Sequence, residues 1–363
     1  MPIPAQRDLE KSRIALQNWI GPKLADGSGS PVTDVAISEF SAPSGSGYSN
    51  ETLLADVTWK SNGQDMSDSV VVRIEPSGYR VFMEADFALQ HRILTTLDKH
   101  SDVPVPPTLW FEEDTSVLGS RFFLMRKVTG SAPADVPSYN EAGSLFDATP
   151  AERRQQWENA INAMIGVHKV PLELVAFLDK PELGATGFDQ TFEYWRRSYE
   201  WAARGKAQPV AQAAWEWMNE NMPTMRPTAL SWGDARLGNI MFDGRNVSAV
   251  VDWEMLSLGG HEMDLGWWLF LDAFQLMDRS HLDGMGTHDE TVAMWEAGTG
   301  EKAESLLWYE IFAGFRFAIV MMRIIQMYDD WGVIPAGGID AELDNPVTRL
   351  LARLLEIDPF PTS

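Results

Sequence analysis

The amino-acid sequence predicts an α+β protein with a small, β-rich N-terminal lobe and a larger, mostly helical C-terminal lobe. Short β-prone runs separated by turns rich in Gly, Ser and Asn occupy most of residues 31–126. After Gly130, apolar residues recur at helical spacing over long segments. We therefore divide the chain into an N-terminal helix with a flexible segment (1–30), an N-lobe (31–126) and a C-lobe (127–363).

Each lobe is built from elements that the local pattern predicts. The first 30 residues indicate an amphipathic helix that ends at Gly21–Pro22, followed by a flexible stretch at Ala25–Ser30. One further helix is expected at residues 87–97, from apolar residues at helical spacing. The expected strands of the N-lobe are Val35–Phe40, Thr52–Trp59, Ser69–Ile74 and Phe122–Met125.

In the C-lobe a compact β segment at Leu230–Asp252 interrupts a helical pattern. Helices return from Asp264 to Glu356. The helices expected before the β segment are Trp157–His168, Gln190–Arg204 and Val210–Asn221.

Composition excludes several classes of protein. The chain has 363 residues and no cysteine, which excludes disulfides and thiolate zinc sites and fits a reducing compartment. The N-terminus lacks the apolar core of a secretory signal, and no uncharged apolar run is long enough to span a bilayer. We therefore expect a cytoplasmic protein without a membrane partner.

The formal net charge of -23 argues against nucleic-acid binding, because phosphate backbones require basic surfaces. Such a charge favours a cationic small-molecule partner, although acidity that only maintains solubility explains it equally well. The oligomeric state is not indicated by the sequence.

The most informative stretch lies between Ala229 and Glu254. Asn239 begins one short apolar run and Asp252 ends a second, and the turn sequence Asp243–Asn246 separates them. This pattern predicts a β-hairpin that brings Asp234, Asn239 and Asp252 to one rim.

Phosphoryl transfer needs such a set of side chains. One carboxylate orients the acceptor hydroxyl and takes its proton, while an oxygen ligand and a second carboxylate hold Mg²⁺. Asp234 precedes Asn239 by five positions, which is the spacing in kinase catalytic loops, and Asp252 follows on a strand. Each residue alone could be an ordinary turn former; the ordered set favours the catalytic interpretation.

Three motifs carry a resemblance to a known family: Trp-Gly-Asp-x-x-x-x-Asn at 232–239, Asp-Trp-Glu at 252–254, and Gly-Gly-x-x-x-Asp-Leu-Gly-Trp at 259–267. Together they resemble the aminoglycoside phosphotransferase family, in the branch similar to the kinase-like domain of some acyl-CoA dehydrogenase proteins. The resemblance extends from about Val32 to Leu271. It implies a bilobal protein-kinase-like fold and transfer of phosphate from ATP, with Mg²⁺, to a small-molecule hydroxyl.

By this resemblance Asp234 is the catalytic base, while Asn239 and Asp252 are magnesium ligands. Glu254 is a further candidate ligand, since related small-molecule kinases carry a carboxylate two positions after the metal Asp. Asp264 is similar to the family aspartate that braces the catalytic loop, which gives it a structural role.

Two residues near Asp234 differ from the residues that related kinases carry at the same positions. Arg236 lies where protein kinases carry a lysine that contacts the transferred phosphate, and a solvated or salt-bridged arginine without that role is the alternative. Trp232 replaces the histidine that usually precedes Gly-Asp in the family. Because that histidine supports the loop backbone, the replacement makes the loop geometry less predictable.

On the nucleotide side, the Gly/Ser-rich segment 44–50 resembles the family's nucleotide-positioning loop. The loop would bring backbone N–H groups close to phosphate. Plain turns have the same composition. The candidate binding residues in it are Gly45, Gly47, Tyr48 and Ser49.

Arg73, on the third strand, is the expected cation for the nucleotide phosphates, or else a surface arginine. Its partner on the following helix is Gln90, where glutamate is usual, and Glu84 and Asp86 are alternatives.

The strand at 122–126 runs into an interlobe linker that would hold the adenine. By resemblance, the Arg126 carbonyl and the Val128 N–H face the base, and Met125 lines its back, although Met125 could equally be core.

The leading hypothesis is a small-molecule kinase that uses ATP and Mg²⁺, with aminoglycosides as one candidate acceptor; the sequence does not separate ATP from GTP. The alternative is a nucleotide-binding pseudokinase with a regulatory or scaffolding role, which the unusual Trp232, Arg73 and Gln90 favour. A protein kinase is less consistent, because no Asp-Phe-Gly or Ala-Pro-Glu segment is present.

Overall fold

A computed structural model describes residues 7–42, 51–76, 78–84, 86–276, 279–333 and 340–358. Two compact units make up the chain. The segment 43–50, with the predicted phosphate-loop residues Gly45, Gly47, Tyr48 and Ser49, lies outside the described residues.

The described helices are α1 (Leu9–Ser28), α2 (Phe87–His100), α3 (Pro150–His168), α4 (Leu172–Val175), α5 (Gly187–Ala203), α6 (Pro209–Glu220), α7 (Glu262–Leu276), α8 (His288–Thr299), α9 (Leu306–Asp330) and α10 (Pro346–Leu354). The described strands are β1 (Val32–Ile37), β2 (Glu51–Ser61), β3 (Gln64–Ile74), β4 (Thr108–Glu112), β5 (Phe122–Arg126), β6 (Ile240–Asp243) and β7 (Asn246–Val250).

The small unit consists of residues 1–81, 86–98 and 106–128. Its five strands form an antiparallel sheet in the order β1-β2-β3-β5-β4. The strands β2 and β3 are longer than predicted, because Asn62 and Gly63 both adopt positive φ and form a tight turn between them. The four predicted strands and the helix α2 are confirmed.

Helices cover both faces of this sheet. Because side chains alternate along a strand, the neighbours Phe122 and Phe123 point to opposite faces. Phe122 packs against Trp19 of α1, with ring centres 4.9 Å apart, and Phe123 packs against Phe87 of α2, at 5.1 Å. The small unit is therefore a three-layer α/β/α structure.

Two features of the small unit differ from expectation. The helix α1 does not end at Gly21–Pro22 but continues to Ser28, where Gly29 closes it with φ 63°. The packing of α1 on the sheet outweighs the local cost of Pro22 inside the helix. The strand β4 was not predicted: its five residues are all half-buried, so they lack the alternation that marks a strand. Among the described strands it pairs with β5, at the edge of the sheet.

The large unit consists of residues 82–85, 99–105 and 129–363. The predicted helices and hairpin are confirmed, and β6 and β7 pair from Ile240↔Val250 to Asp243↔Asn246. The main core lies among α5, α6, α7, α9 and α10. Two glycines allow α7 and α9 to approach closely: a Cβ on Gly266 would lie 2.6 Å from the Tyr309 carbonyl carbon, and one on Gly314 would lie 2.5 Å from the Phe270 ring.

One described helix, α9, is long and apolar enough to cross a membrane by length and composition. Of its most apolar 18-residue window, 67% is buried inside the protein, which is the pattern of a core helix. A bent pair formed by α3 with residues 172–178 passes the same test only if it is counted as one span.

The fold class is the predicted one, a bilobal protein-kinase-like α+β fold. The division of function between the lobes stays a prediction.

Candidate active site

The site is built around the loop 229–239, which connects α6 to β6. Two β-bridges tie its first residues to Ser257 and Gly259. Gly233 has φ 93°, and a Cβ there would lie 2.1 Å from the Met255 carbonyl oxygen. Only glycine fits this position, so the loop turns sharply just before Asp234.

The Asp234 carboxylate is held by three side chains. Trp267 Nε1 donates to Oδ1 at 2.7 Å, and Asn239 Nδ2 donates to Oδ2 at 2.6 Å. Arg236 Nε lies 3.1 Å from Oδ1. The carboxyl group is 16% exposed, so it is fixed in orientation but still accessible.

The fully buried Asp264, on the first turn of α7, stabilises the loop 229–239 by accepting hydrogen bonds from it. Its Oδ1 accepts hydrogen bonds from Ser231 Oγ at 2.8 Å and Gly233 N at 2.7 Å. Its Oδ2 accepts from Trp232 N at 2.7 Å and lies 3.0 Å from His168 Nε2. Burial alone would raise the pKa of Asp264, but these hydrogen bonds and His168 hold it below its ordinary value.

The protonation of His168 follows from its partners. Trp295 Nε1 can only donate, and it lies 3.0 Å from His168 Nδ1, so Nδ1 is an acceptor. The proton of the neutral ring is therefore on Nε2, which donates to Asp264. His261 stacks on the same ring with centres 4.6 Å apart. His168 therefore acts as a buried structural support for Asp264.

Trp232, the departure from the family pattern, is fully buried. Its indole Nε1 lies 3.0 Å from the Val251 carbonyl oxygen and 3.1 Å from that of Asp252. The tryptophan thus ties the 229–239 loop to the chain around Asp252. This side chain therefore helps to fix the backbone of the loop in the structure.

The hairpin brings Asn239 and Asp252 close to Asp234. Val251 N donates to Asn239 O at 3.0 Å, so the residues before β6 and after β7 are joined directly. Asp252 has φ 61°, a conformation that aspartate tolerates better than most residues and that is often found at functional sites. Glu254 is half-buried two positions further on. Within the described ranges, no three His, Cys, Asp or Glu side chains form a metal cluster.

Arg236 is enclosed by acidic groups. Besides Asp234 it pairs with Asp135, whose other carboxylate oxygen accepts from Gln275 Nε2 at 3.1 Å. Burial alone would lower the pKa of Arg236, but three nearby carboxylates raise it above its ordinary value. These carboxylates belong to Asp234, Asp135 and Asp252. Arg236 is therefore ion-paired in the structure, and its contact with the transferred phosphate stays a prediction.

Three residues that contact the predicted site residues were not themselves predicted as part of the site. They are Trp267, His168 and Asp135. Trp267 had a usable signal, because it follows Asp264 by three positions on a helix and so lies on the same face, directed at the same loop. For His168 and Asp135 the sequence contains no such signal, since nothing in it indicates which distant loop each residue contacts.

The predicted nucleotide residues of the small unit lie on neighbouring strands. Arg73 on β3 pairs across the sheet with Phe123, and its Nη1 lies 3.2 Å from Thr52 Oγ1. Met125 is half-buried, and Arg126 is exposed and ion-paired to Asp68 with Nε–Oδ2 at 2.8 Å. Val128 follows β5 as the last residue of this unit.

The alternative partners of Arg73 have other roles. Asp86 Oδ1 accepts from Leu89 N at 3.0 Å at the start of α2. Glu84 pairs with Lys180, with Nζ–Oε2 at 3.3 Å. Gln90 is buried on α2. The assignments of these residues to nucleotide binding stay predictions.

The chain matches the model of the APH phosphotransferase enzyme family over residues 42–297. Among curated relatives, mouse acyl-CoA dehydrogenase family member 10 is 26% identical over 270 residues, which is 71% of this chain but 24% of the relative. The probable acyl-CoA dehydrogenase IBR3 of Arabidopsis thaliana is 23% identical over 318 residues, or 81% of this chain and 36% of that protein. The chain thus spans only about a quarter to a third of these relatives.

Solved structures share the fold over nearly the whole chain. A candidate aminoglycoside phosphotransferase of Ralstonia eutropha has a TM-score of 0.65 at 22% identity, covering 97% of this chain and 99% of that one. The aminoglycoside phosphotransferase APH(4)-Ia, in a complex with AMP-PNP and hygromycin B, has a TM-score of 0.52 at 13% identity, covering 93% and 98%. The macrolide 2'-phosphotransferase MphH of Brachybacterium faecium also has 0.52, at 15% identity, covering 96% and 99%. Since the family match covers most of the chain, the protein belongs to the APH phosphotransferase enzyme family.

Proposed function

We propose that this protein transfers the terminal phosphate of ATP to a hydroxyl group of a small molecule, with Mg²⁺ as cofactor. The observation that carries the proposal is the Asp234 carboxylate, which Trp267 and Asn239 hold by one oxygen each while it stays 16% exposed. A carboxylate in this arrangement suits a general base, because its orientation is fixed before the substrate arrives.

In the reaction, Asp234 accepts a hydrogen bond from the acceptor hydroxyl and then takes its proton. The acceptor oxygen forms a bond to the terminal phosphorus, and the bond between that phosphorus and the bridging oxygen of the nucleoside diphosphate breaks. Asp234 passes the proton to water after the product leaves. Neither Trp267 nor Asn239 competes for this proton, since both side chains only donate to Asp234.

The residues around Asp234 fit a magnesium ion. Asn239 donates to Asp234 through Nδ2 only, which leaves its Oδ1 as an oxygen ligand, and Asp252 adds a carboxylate. Mg²⁺ prefers oxygen ligands and keeps waters and phosphate oxygens for the rest of its coordination, so two protein ligands suffice. When bound, the ion would neutralise charge on the phosphates. Glu254 is proposed as a further ligand.

Arg236 is proposed to limit the negative charge at the site. It is the cation among the carboxylates of Asp234, Asp135 and Asp252, and without it an anionic nucleotide would meet an uncompensated acidic cluster. A direct contact of Arg236 with the transferred phosphate is a further part of the proposal. Arg236 uses Nε and Nη1 for its two carboxylate partners, and a guanidinium has five N–H donors, so Nη2 is the donor proposed for this contact.

For the nucleotide, we propose that Arg73 contacts the phosphates. The adenine would be held by the Arg126 carbonyl and the Val128 N–H, with Met125 beside it. The segment 44–50, with Gly45, Gly47, Tyr48 and Ser49, is proposed as the phosphate loop. GTP is the alternative nucleotide.

The acceptor is proposed as a hydroxyl-bearing small molecule, and the net charge of -23 favours a cationic one. The related structures do not narrow this further, because one was solved with hygromycin B and another is named a macrolide phosphotransferase.

The direct test is nucleoside diphosphate release with ATP or GTP, with and without Mg²⁺, across a panel of small alcohols and amino sugars. Asp234→Asn should lower kcat about 10²–10⁴-fold while ATP affinity stays within about twofold. Asp289→Asn, at a fully exposed carboxylate, is the matched control and should behave as wild type.

Binding of ATP without transfer to any member of the panel would contradict the proposal and support the pseudokinase alternative. An Asp234→Asn variant with wild-type turnover would remove Asp234 from the mechanism.

A further inference from the structure

The helix α9 carries a buried arginine that packs against the first turn of α7, where Asp264 holds the Asp234 loop. Arg316 is 1% exposed, and its Nη2 donates to the Met263 carbonyl oxygen at 3.1 Å. Its guanidinium carbon lies 4.6 Å from the centre of the Trp267 ring. Met263 and Trp267 stand on either side of Asp264, so the arginine contacts both ends of the turn that grips the loop.

Arg316 has few of the partners that usually compensate a buried cation. Among the described residues its hydrogen bond is to Met263, and its Nε has no partner. Burial lowers its pKa to about 10, against the influence of Asp264 and Asp234, so it stays charged at neutral pH. An apolar side chain of similar size would avoid this cost, which makes a purely packing role a poor explanation.

The close contact between helices fixes the position of this arginine. The α7 and α9 backbones approach at Gly266 and at Gly314, where a Cβ would lie within 2.6 Å of an atom of the other helix. Gly314 precedes Arg316 by two residues, and Gly266 precedes Trp267 directly. The guanidinium is therefore held against the indole face by rigid helices on both sides.

We propose that Arg316 is a positioning residue for the phosphotransfer site, which acts through Trp267 on Asp234. A cation over the face of an indole is attracted to the ring, so it fixes the plane in which the ring lies. Fixing that plane directs the Trp267 N–H at Asp234 Oδ1, at 2.7 Å. The inference rests on the proposed function of Asp234 as the base.

The same helix offers a matched control. Arg323 is also buried, at 6% exposure, and its guanidinium carbon lies 3.9 Å from the centre of the Trp201 ring. It donates from Nη1 to Gln326 at 2.7 Å. Both arginines therefore stack on a tryptophan, but only Trp267 donates a hydrogen bond to Asp234.

The experiment compares Arg316→Met, Arg316→Lys and Arg323→Met in the full chain. Arg316→Met should lower kcat about tenfold or more, with the nucleotide KM within about twofold, because the base is misplaced but nucleotide binding is not. Arg316→Lys, which keeps a cation over the ring, should recover kcat to within about threefold of wild type. Arg323→Met should keep the wild-type kcat.

A second readout does not depend on turnover. The indole N–H resonance of Trp267, assigned by its loss in Trp267→Phe, should move upfield in Arg316→Met and stay in place in Arg323→Met. If the resonance shifts but the wild-type protein transfers no phosphate, the proposed function is wrong. The effect of Arg316 on the position of Trp267 then still holds.

The positioning role is overturned if Arg316→Met keeps the wild-type kcat and indole resonance, or if Arg323→Met changes both equally. If Arg316→Met does not fold, a double-mutant cycle decides between the outcomes. The kcat deficit of Arg316→Gln, which lacks the cation but keeps an N–H donor, should disappear in the Trp267→Phe background. A deficit that persists there shows that Arg316 does not act through Trp267.

Discussion

The proposed catalytic side, in the large unit, and the proposed nucleotide side, in the small unit, are held in different ways. In the large unit, Asp264 accepts three hydrogen bonds from loop residues and one from His168, all in the buried interior. In the small unit, Arg73 has a hydrogen bond to Thr52 and Arg126 an exposed ion pair with Asp68. Changes on the catalytic side should therefore affect both stability and turnover, whereas changes on the nucleotide side should affect binding alone.

The largest effect is expected from Asp264→Ala. The substitution leaves the Ser231 hydroxyl, two backbone N–H groups and the His168 N–H without their acceptor in a buried site. We expect a loss of about 3–5 kcal/mol in the free energy of unfolding, measured by chemical denaturation, together with loss of turnover. Asp272→Ala, which removes a half-buried partner of His281, is the control and should cost less than about 1 kcal/mol. Equal losses in the two variants would contradict the special role of Asp264.

The Asp264 brace also has a defined pH dependence. The pKa of Asp264 is lower in the folded protein than its ordinary value of 3.8. Its stabilising contribution is therefore fully present above about pH 4 and is lost as the pH falls through the folded pKa. The difference in unfolding free energy between wild type and Asp264→Asn should be constant from pH 5 to 8 and shrink only in stronger acid. A difference that shrinks near pH 6 would contradict this assignment.

Trp232→Phe tests the join between the loop and the chain around Asp252. Phenylalanine fills most of the buried space but cannot donate to the Val251 and Asp252 carbonyl oxygens. We expect a loss of about 2 kcal/mol in unfolding free energy and a lower kcat. Trp253→Phe provides a comparison, because that indole donates to Val250 at 3.1 Å and not to Asp252. If only Trp253→Phe lowers kcat, the proposed tie through Trp232 is wrong.

The difference between the two sides also explains what the sequence could predict. The approach of Asn239 to the chain just before Asp252 was predictable, because a hairpin joins these residues and is specified by local alternation and turn residues. The roles of Asp234, Asn239 and Asp252 stay predictions. The partners that hold them come from far along the chain: Trp267 lies 33 positions from Asp234, and Asp135 lies 101 positions from Arg236. Such contacts depend on helix packing, which no local pattern determines.

The same distinction applies to the fold. The strand β4 was missed because an edge strand with uniform half-burial has no alternation. The helix α1 continues beyond its predicted end, because its packing on the sheet outweighs the cost of Pro22 inside the helix. The family motifs gave the overall class correctly, since they flank the hairpin and cover the start of α7.

A smaller effect is expected from Arg73→Met. If Arg73 contacts the nucleotide phosphates, the loss of one charged hydrogen bond should raise the ATP dissociation constant about tenfold. The unfolding free energy should change by less than about 1 kcal/mol, because Arg73 is only partly buried. Arg73→Lys keeps the charge and should recover much of the affinity, as measured by calorimetric titration. Unchanged ATP affinity in Arg73→Met would remove Arg73 from the nucleotide site.

The smallest effect is expected from Arg126→Ala, which separates a backbone role from a side-chain role. The proposed adenine contact uses the Arg126 carbonyl, which alanine retains, and the side chain is 57% exposed in its ion pair with Asp68. An exposed ion pair contributes little, so the unfolding free energy should change by less than about 0.5 kcal/mol. ATP affinity should stay within about twofold, whereas Val128→Pro, which deletes the N–H proposed to face the base, should weaken it markedly. A large loss of affinity in Arg126→Ala would show that the guanidinium itself binds the nucleotide, and the nucleotide side would then depend on side-chain charge at two positions.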